Sequence, residues 1–449
     1  MKFLKRWHYI PVFAILILLA IGRVKLYGNP YLSVPTRDTD SFVSSSEVPI
    51  LSWEAMTGRR LFTTNLLYKA FTPTGGYPKL EPNVDTTWRN VYPGFEKIAL
   101  FQSIVSVLGW EILALAMVSK IKNVYLKILS AILILLFGFS PHVADWDSVL
   151  GSESLSFSLF ALALGLLIWL VFDVYEQKQN SPKTIVLAIM WFIVFFLWTF
   201  VRDANLYAMF ATCLMLIVTI IAFRQYRRSW VSIILGVMLV ASFGLGLASS
   251  MQSARSNIQV EHVIFEFVLP YPARADFMHK LGMPSTDSPS FKEWFDKNAP
   301  RSYMLFLITH PGFTLTHYLI GAYVAFDPYL QAYFRATDLQ WRTQLVAMGG
   351  ELHLGITALV IATILLSVLW IFTITDTDKR QKKASKPWTW LATWIFLTGN
   401  FTLFVSIFGD TVALHRHAIF STTELRLMMW SLIMVLSDLL LSKNNQESA

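Results

Sequence analysis

The chain has 449 residues, of which 55% are hydrophobic, 15% aromatic and only 15% charged, with a mean hydropathy of +0.50. That composition excludes an ordinary soluble globular protein and points to a polytopic membrane protein. The formal charge of +8 does not argue for a nucleic-acid partner, because Lys and Arg fall in short clusters beside apolar segments.

The N-terminal stretch MKFLKRWHYIPVFAILILLAIG joins a basic head to an apolar run. Ala20-Ile21-Gly22 loosely fits a small-x-small cleavage site, and an uncleaved anchor helix is the preferred expectation. A hydropathy window predicts spans near residues 9–26, 97–118, 124–140, 153–172, 184–201, 204–223, 230–249, 352–374, 388–408 and 419–441. The expected fold is an all-α transmembrane bundle of about ten spans. It divides into a first helix (1–27), a first large loop (28–96), spans two to seven (97–249), a second large loop (250–351), the C-terminal spans (352–441) and a tail (442–449). The sole cysteine, Cys213, lies in an apolar run and reads as a small core residue, so no intramolecular disulfide is available.

Basic residues set the orientation. Lys2, Lys5 and Arg6, Lys120 and Lys122, Lys178 and Lys183, Arg224, Arg227 and Arg228, and the cluster Lys379, Arg380, Lys382, Lys383 and Lys386 fall on one side of the predicted spans. The positive-inside rule makes that side cytoplasmic, with both termini inside and both large loops outside. Arg23 and Lys25 are exceptions, expected to snorkel from the outer end of the first helix. Both loops carry aromatic residues, such as Trp53, Tyr68, Tyr77, Trp88 and Tyr92 in the first, and are expected to be partly helical on the membrane surface. Residues 302–326 read as two short interfacial helices broken at His310-Pro311-Gly312. Asn400-Phe401-Thr402, an N-x-T triplet, falls inside a span, and the lack of a usable external acceptor site suits a bacterial inner membrane.

A charge at a helix centre in hydrocarbon costs roughly 2.5 to 3.5 kcal/mol, so positions that keep one are functional candidates. Here they gather on the predicted outer face. Thr36 to Ser46, TRDTDSFVSSS, carries Asp38 and Asp40; the third-to-fourth connection carries His142, Asp145, Asp147 and Glu153 without a local Lys or Arg. The fifth-to-sixth connection holds Arg202 and Asp203, and the ninth-to-tenth holds Asp410, His415, Arg416 and His417. Each cluster alone reads equally as helix caps, a structural pair or interfacial anchors. Only Glu111 interrupts a clean midplane, and it is expected to turn toward a polar neighbour. An anionic lipid phosphate at headgroup depth suits the arginine donor fork. A nearby carboxylate suits removal of a proton from an acceptor hydroxyl.

With Asp38-Thr39-Asp40-Ser41-Phe42, GRRLFTTNLLYK from Gly58, Gly151-Ser152-Glu153-Ser154, RDANLY from Arg202 and GDTVALHRH from Gly409, the chain resembles the polytopic glycosyltransferases of the C-type fold. That superfamily includes protein mannosyltransferases and bacterial enzymes that decorate lipid A. The resemblance implies a first-loop acid as catalytic base, with Arg, Lys or His of later outer loops on a polyprenyl phosphate. By its match to the motif Asp40 is the first choice for base and Asp38 the second. Relatives often have Asp-Glu before an aromatic where this chain has Asp-Thr-Asp-Ser-Phe, which leaves the two acids as alternatives. The soluble C-terminal domain of some relatives is not evident, so acceptor recognition is expected in the two loops.

The resulting expectation is an inverting membrane glycosyltransferase that uses a polyprenyl-phosphate sugar and a glycan, lipid or protein acceptor. Arg59, Arg60, Arg202, His415, Arg416 and His417 would hold the donor phosphate, and Asp145, Asp147, Glu153 and Asp203 would orient the acceptor. Asp38 and Asp40 are the only candidates for a divalent cation. A flippase or a polymerase of lipid-linked saccharides is the alternative. Transport would call for charges through the bilayer depth and an internal repeat, and the sequence shows no such repeat.

Overall fold

Helix Glu153–Tyr175 is the axis of the bundle: 83% of its apolar window is buried, against 22% for Ile10–Tyr27 and 28% for each of Trp230–Ser253 and Thr357–Thr375. The computed structural model describes residues 9–80, 89–176, 180–223, 229–253, 255, 257–334, 340–409 and 412–447. Lys2, Lys5, Arg6, Trp88, Lys178, Arg224, Arg227, Arg228 and Asp410 lie outside the described residues. In chain order the helices are α1 (Ile10–Tyr27), α2 (Thr39–Ser46), α3 (Trp53–Thr57), α4 (Phe62–Ala70), α5 (Glu96–Lys120), α6 (Val124–Gly138) and α7 (Pro141–Ala144). They continue as α8 (Glu153–Tyr175), α9 (Pro182–Thr199), α10 (Asp203–Ala222), α11 (Trp230–Ser253), α12 (Asn257–His262), α13 (Pro272–Lys280) and α14 (Ser290–Thr309). The last are α15 (Pro311–Ala325), α16 (Gln340–Leu352), α17 (Thr357–Thr375), α18 (Lys379–Gly409) and α19 (Leu414–Glu447).

Among the described residues nine helices are long and apolar enough to cross a membrane. The expected tenth span, near residues 124–140, is shorter: α6 ends at Gly138 and the chain bends by 45° into Pro141–Ser148. Pro141 supplies the break, since proline starts a helix readily but cannot continue one. The break places Asp145 to Ser148 in a buried turn under the loop end of α8.

Small residues let the central helices touch. A Cβ on Gly109 of α5 would collide with the Ser158 carbonyl oxygen of α8, and one on Gly138 would run into the Trp110 ring. Such contacts tolerate nothing larger than hydrogen. Cys213 is buried in α10, as expected of a core thiol. Glu111 is half-buried, and its Oε1 has no hydrogen-bond partner among the described residues.

The first loop is tied down at residue 34. Val34 N–H donates to the Ser148 carbonyl at 2.7 Å and its carbonyl accepts from Leu150 N–H at 2.9 Å, while Thr39 Oγ1 donates to the Leu150 carbonyl. Helix α2 then packs on α4, with Phe42 stacked on Tyr68 at 5.4 Å. In the second loop the expected break falls at His310, but α14 reaches back to Ser290 and α15 is wedged against the C-terminal helices. Tyr318 Oη donates to Asn400 at 2.6 Å, and Gly321 sits against Ile407.

Arg426, buried in α19, holds this loop in place by donating to the Phe326 carbonyl at the end of α15 and to the Leu354 carbonyl before α17. Arg426→Ala strands the buried Phe326 carbonyl, an expected loss on the order of 1 to 3 kcal/mol, and frees the part-buried Leu354 carbonyl at a smaller cost. Limited proteolysis should show faster cleavage between residues 326 and 354 in that variant, with the rest of the bundle unaffected.

Candidate functional site

Asp38 occupies the N-cap position of α2, where aspartate ordinarily bonds the first-turn amides, yet it makes no such bond. Its Oδ1 instead accepts from Arg60 Nη2 at 2.7 Å and its Oδ2 from Arg416 Nη2 at 3.1 Å. Arg60 is itself fixed in place, since its Nε donates to Ser41 Oγ at 2.6 Å and its guanidinium lies 4.4 Å from the Phe42 ring centroid. Burial favours the neutral Asp38 carboxyl, but the Arg60 and Arg416 guanidiniums outweigh it and hold the group below the usual carboxylate range.

Arg416, in the first turn of α19, bridges two carboxylates. Its Nε donates to Glu153 Oε1 at 2.8 Å while Nη2 serves Asp38. Three residues before it, Ala413 has φ of 55°, the only positive φ at a non-glycine position among the described residues, in the turn that starts α19. Glu153 begins α8 and is 1% exposed. Its Oε2 has no partner among the described residues and rests against Gly151, where a Cβ would lie only 2.5 Å away. Arg202, between α9 and α10, points Nη1 toward Glu153 Oε1 at 3.8 Å, too far for a hydrogen bond, and that nitrogen is buried without an acceptor among the described residues. Burial pulls the Arg202 guanidinium below its usual value and Glu153 opposes the shift.

Asp38, Arg60, Glu153, Arg202 and Arg416 therefore meet in one cluster, with three guanidiniums against two carboxylates. The excess positive charge and the unpaired Arg202 donor suit an incoming anion. Residues 327–334 cover the cluster: Tyr333 lies 5.3 Å from the Arg416 guanidinium, Tyr329 stacks parallel to His415 at 6.1 Å, and both flank the buried Trp146.

The other expected site residues are placed elsewhere. Asp40 and Arg59 are exposed, and neither makes an ion pair among the described residues. Asp203 pairs with Arg255 at 3.2 Å instead of joining the cluster. Asp147 is buried, taking Ser154 Oγ at 2.6 Å on one oxygen and Arg23 on the other. Arg23, expected to snorkel, is thus a buried ion-pair partner, because the buried Asp147, whose own turn supplies no Lys or Arg, takes it as counter-charge. Asp145 is buried two residues before Asp147, and His417 is half-buried with its carbonyl accepting from Ser406 Oγ. His142 packs in a buried stack with His353 and Phe137, where burial pushes His353 well below the usual imidazole value. No group of three His, Cys, Asp or Glu among the described residues is arranged to hold a metal ion. Both Asp38 oxygens are already occupied by guanidiniums and Asp40 is exposed, so this pair does not fit a cation in this arrangement.

The sequence reading missed Tyr329, Tyr333 and Arg255. Arg255 ties the first loop to α10 and α11, donating to the Gly58 carbonyl at 2.9 Å and Ser249 Oγ at 3.1 Å as well as to Asp203. Its only sequence signal was a lone arginine just past a long apolar run.

The fold and this cluster define the chain as a multi-pass, all-α membrane protein with an arginine-rich ionic site at its loop end. No family model and no curated protein matches the chain. Among solved structures it is similar to the archaeal oligosaccharyltransferase AglB from Archaeoglobus fulgidus in complex with an inhibitory peptide and a dolichol-phosphate, at 12% identity over 95% of this chain and 50% of that one, with a TM-score of 0.43. The apo form of the Archaeoglobus fulgidus oligosaccharyltransferase gives 12% identity, the same shares and a TM-score of 0.44. The chain spans about half the length of those proteins, and likeness at this level leaves function to be argued from the site.

Proposed function

We propose that the protein is a glycosyltransferase that moves a sugar from a polyprenyl-phosphate donor to an acceptor hydroxyl at the loop end of the bundle, which the charge rule makes extracytoplasmic. The observation that carries this reading is the buried Arg202 Nη1 without an acceptor among the described residues, beside an Arg416 shared between two carboxylates. A lipid phosphate arriving from the bilayer accepts from that nitrogen and competes with Asp38 for Arg416 and Arg60. As the sugar C1–O bond breaks, negative charge grows on the departing phosphate, and fixed guanidiniums stabilise it where it forms. Asp38, relieved of one arginine by the phosphate, takes the proton of the attacking hydroxyl. Direct displacement inverts the anomeric centre and leaves polyprenyl phosphate.

Asp38 is preferred to Asp40 as base because only Asp38 adjoins the arginines that would hold the leaving group. Glu153 is better suited to orienting Arg416 and Arg202 than to touching the acceptor, since it is 1% exposed. Purified protein in micelles, given a polyprenyl-phosphate sugar and envelope lipid extract, should release polyprenyl phosphate. Intact donor after prolonged incubation, with Arg416 and Arg202 both in place, would count against the reading.

The acid limit follows from Asp38. Its folded value lies below its free value, so its contribution is fully present above the ordinary carboxylate range and is lost as pH falls through the folded value. The stability difference between wild type and Asp38→Asn, read by thermal unfolding, should stay constant from neutral pH down to about pH 4 and shrink below it.

A further inference from the structure

Between α2 and α3 the first loop closes tightly at residues 49–52, where Ser52 N–H and Oγ both donate to the Pro49 carbonyl. Leu51, at the apex of this turn, is fully exposed, so its side chain packs on no other part of the chain. Trp53, which starts α3, is 47% exposed. A bare leucine beside a half-bare tryptophan is an apolar surface without a cover inside the molecule.

Both ends of the turn are fixed. Lys69 Nζ of α4 donates to the Glu47 and Val48 carbonyls at 3.1 Å each, and Trp53 Nε1 donates to Gln252 Oε1 of α11 at 2.6 Å. Ser249 Oγ of α11 also donates to the Met56 carbonyl of α3. The turn is therefore held at the loop end of α11. That helix exposes Ile233, Val237, Val240, Leu247 and Met251 at helical spacing, a stripe that faces hydrocarbon in a membrane-crossing helix. The stripe ends with Met251, 84% exposed, next to the glutamine that holds Trp53. From Trp230 to Gln252 the helix rises about 33 Å at 1.5 Å per residue, against roughly 30 Å of hydrocarbon core.

We infer that the turn at residues 49–52 is seated in the bilayer leaflet at the loop end of the bundle, with Leu51 among the upper acyl carbons and Trp53 at headgroup depth. The half-exposed Trp230 at the far end of α11 then marks the opposite headgroup level, where indole rings settle. Lipid is the cover because the turn adjoins the stripe of α11 that lipid already covers. Glu47 and Glu54 flank the turn and are exposed, which limits the depth, since carboxylates do not follow Leu51 into hydrocarbon. The turn lies between α2 and α4, so its seat fixes the height above the bilayer of the loop that carries Asp38 and Arg60. The inference stands whether or not the cluster transfers sugars.

The test is spin labelling of the full chain in phosphatidylcholine nanodiscs, with the sole cysteine removed by Cys213→Ala. A nitroxide is attached at Leu51→Cys, at Val237→Cys as the hydrocarbon reference, and at Ser285→Cys in an exposed polar turn as the water reference. Leu51 is fully exposed, so a label there disturbs no packing. Collision with oxygen, which concentrates in lipid, is divided by collision with a water-soluble nickel chelate. The ratio at residue 51 should be several-fold above that at residue 285 and below that at residue 237. A ratio at residue 51 equal to that at residue 285 places the turn in water and overturns the inference. Dipolar broadening between two labelled copies in one disc, with oxygen access no higher than at residue 285, would overturn it in favour of a second copy of the chain.

Discussion

Asp38→Asn should lower the proposed sugar transfer by about 100- to 10,000-fold, the range a lost general base commands, whereas Asp40→Asn should stay within about tenfold of wild type. The asymmetry follows from position. The two acids are separated by one residue, so α2 turns them to different sides: Asp38 faces Arg60 and Arg416, while Asp40 faces outward. Asparagine keeps the shape and can still meet one guanidinium through its carbonyl oxygen, but it accepts no proton at neutral pH. Binding of the lipid phosphate, measured with radiolabelled polyprenyl phosphate, should survive in Asp38→Asn, which separates loss of chemistry from loss of the site. A fully active Asp38→Asn together with an inactive Asp40→Asn would return the base role to Asp40.

Arg416→Ala has a second kind of effect, on stability as well as transfer. It removes the closest partner of Glu153, which is 1% exposed and retains only Arg202 at 3.8 Å. Breaking a buried pair from one side costs about 3 to 5 kcal/mol, because the remaining charge is stranded. Arg416→Lys should recover part of the stability but little of the transfer. A single ammonium can approach Glu153 or Asp38, yet it lacks the planar fork that now bonds both at once. Adding Glu153→Gln to Arg416→Ala should restore melting temperature toward wild type without restoring activity, since it removes the stranded charge but supplies no donor. If the double variant unfolds as early as Arg416→Ala, the buried-charge account of this site fails.

The apolar helices were legible because hydrophobic run length alone defines them. The span expected near 204–223 is Asp203–Ala222, and that near 153–172 is Glu153–Tyr175. The exception was 124–140, where hydropathy runs on past Gly138 but Pro141 and the need to bury Asp145 and Asp147 turn the chain aside. In the site, gathering of charge at one end was readable, and so was the membership of Arg202, Glu153 and Arg416. Which acid faces them was not, because α2 begins only at Thr39 and its rotation is set by Phe42 packing on Tyr68. Pairings across long separations were equally hidden. Arg23 meets Asp147 from 124 residues away, and Arg416 meets Asp38 from 378. An acid-rich turn with no local base was the available clue that a distant arginine must come to it. Tyr329 and Tyr333 gave no signal at all, since aromatic residues in a membrane loop are read first as interfacial anchors.

Everything proposed for this site depends on a lipid phosphate entering the arginine cluster. The direct test is a cryo-EM map of the protein with bound polyprenyl phosphate. The account predicts phosphate density within hydrogen-bond reach of Arg202 Nη1 and Arg416, with Asp38 released from at least one of its two guanidiniums. Phosphate density elsewhere on the bundle, with Asp38, Arg60, Glu153 and Arg416 bonded as they are now, would contradict it.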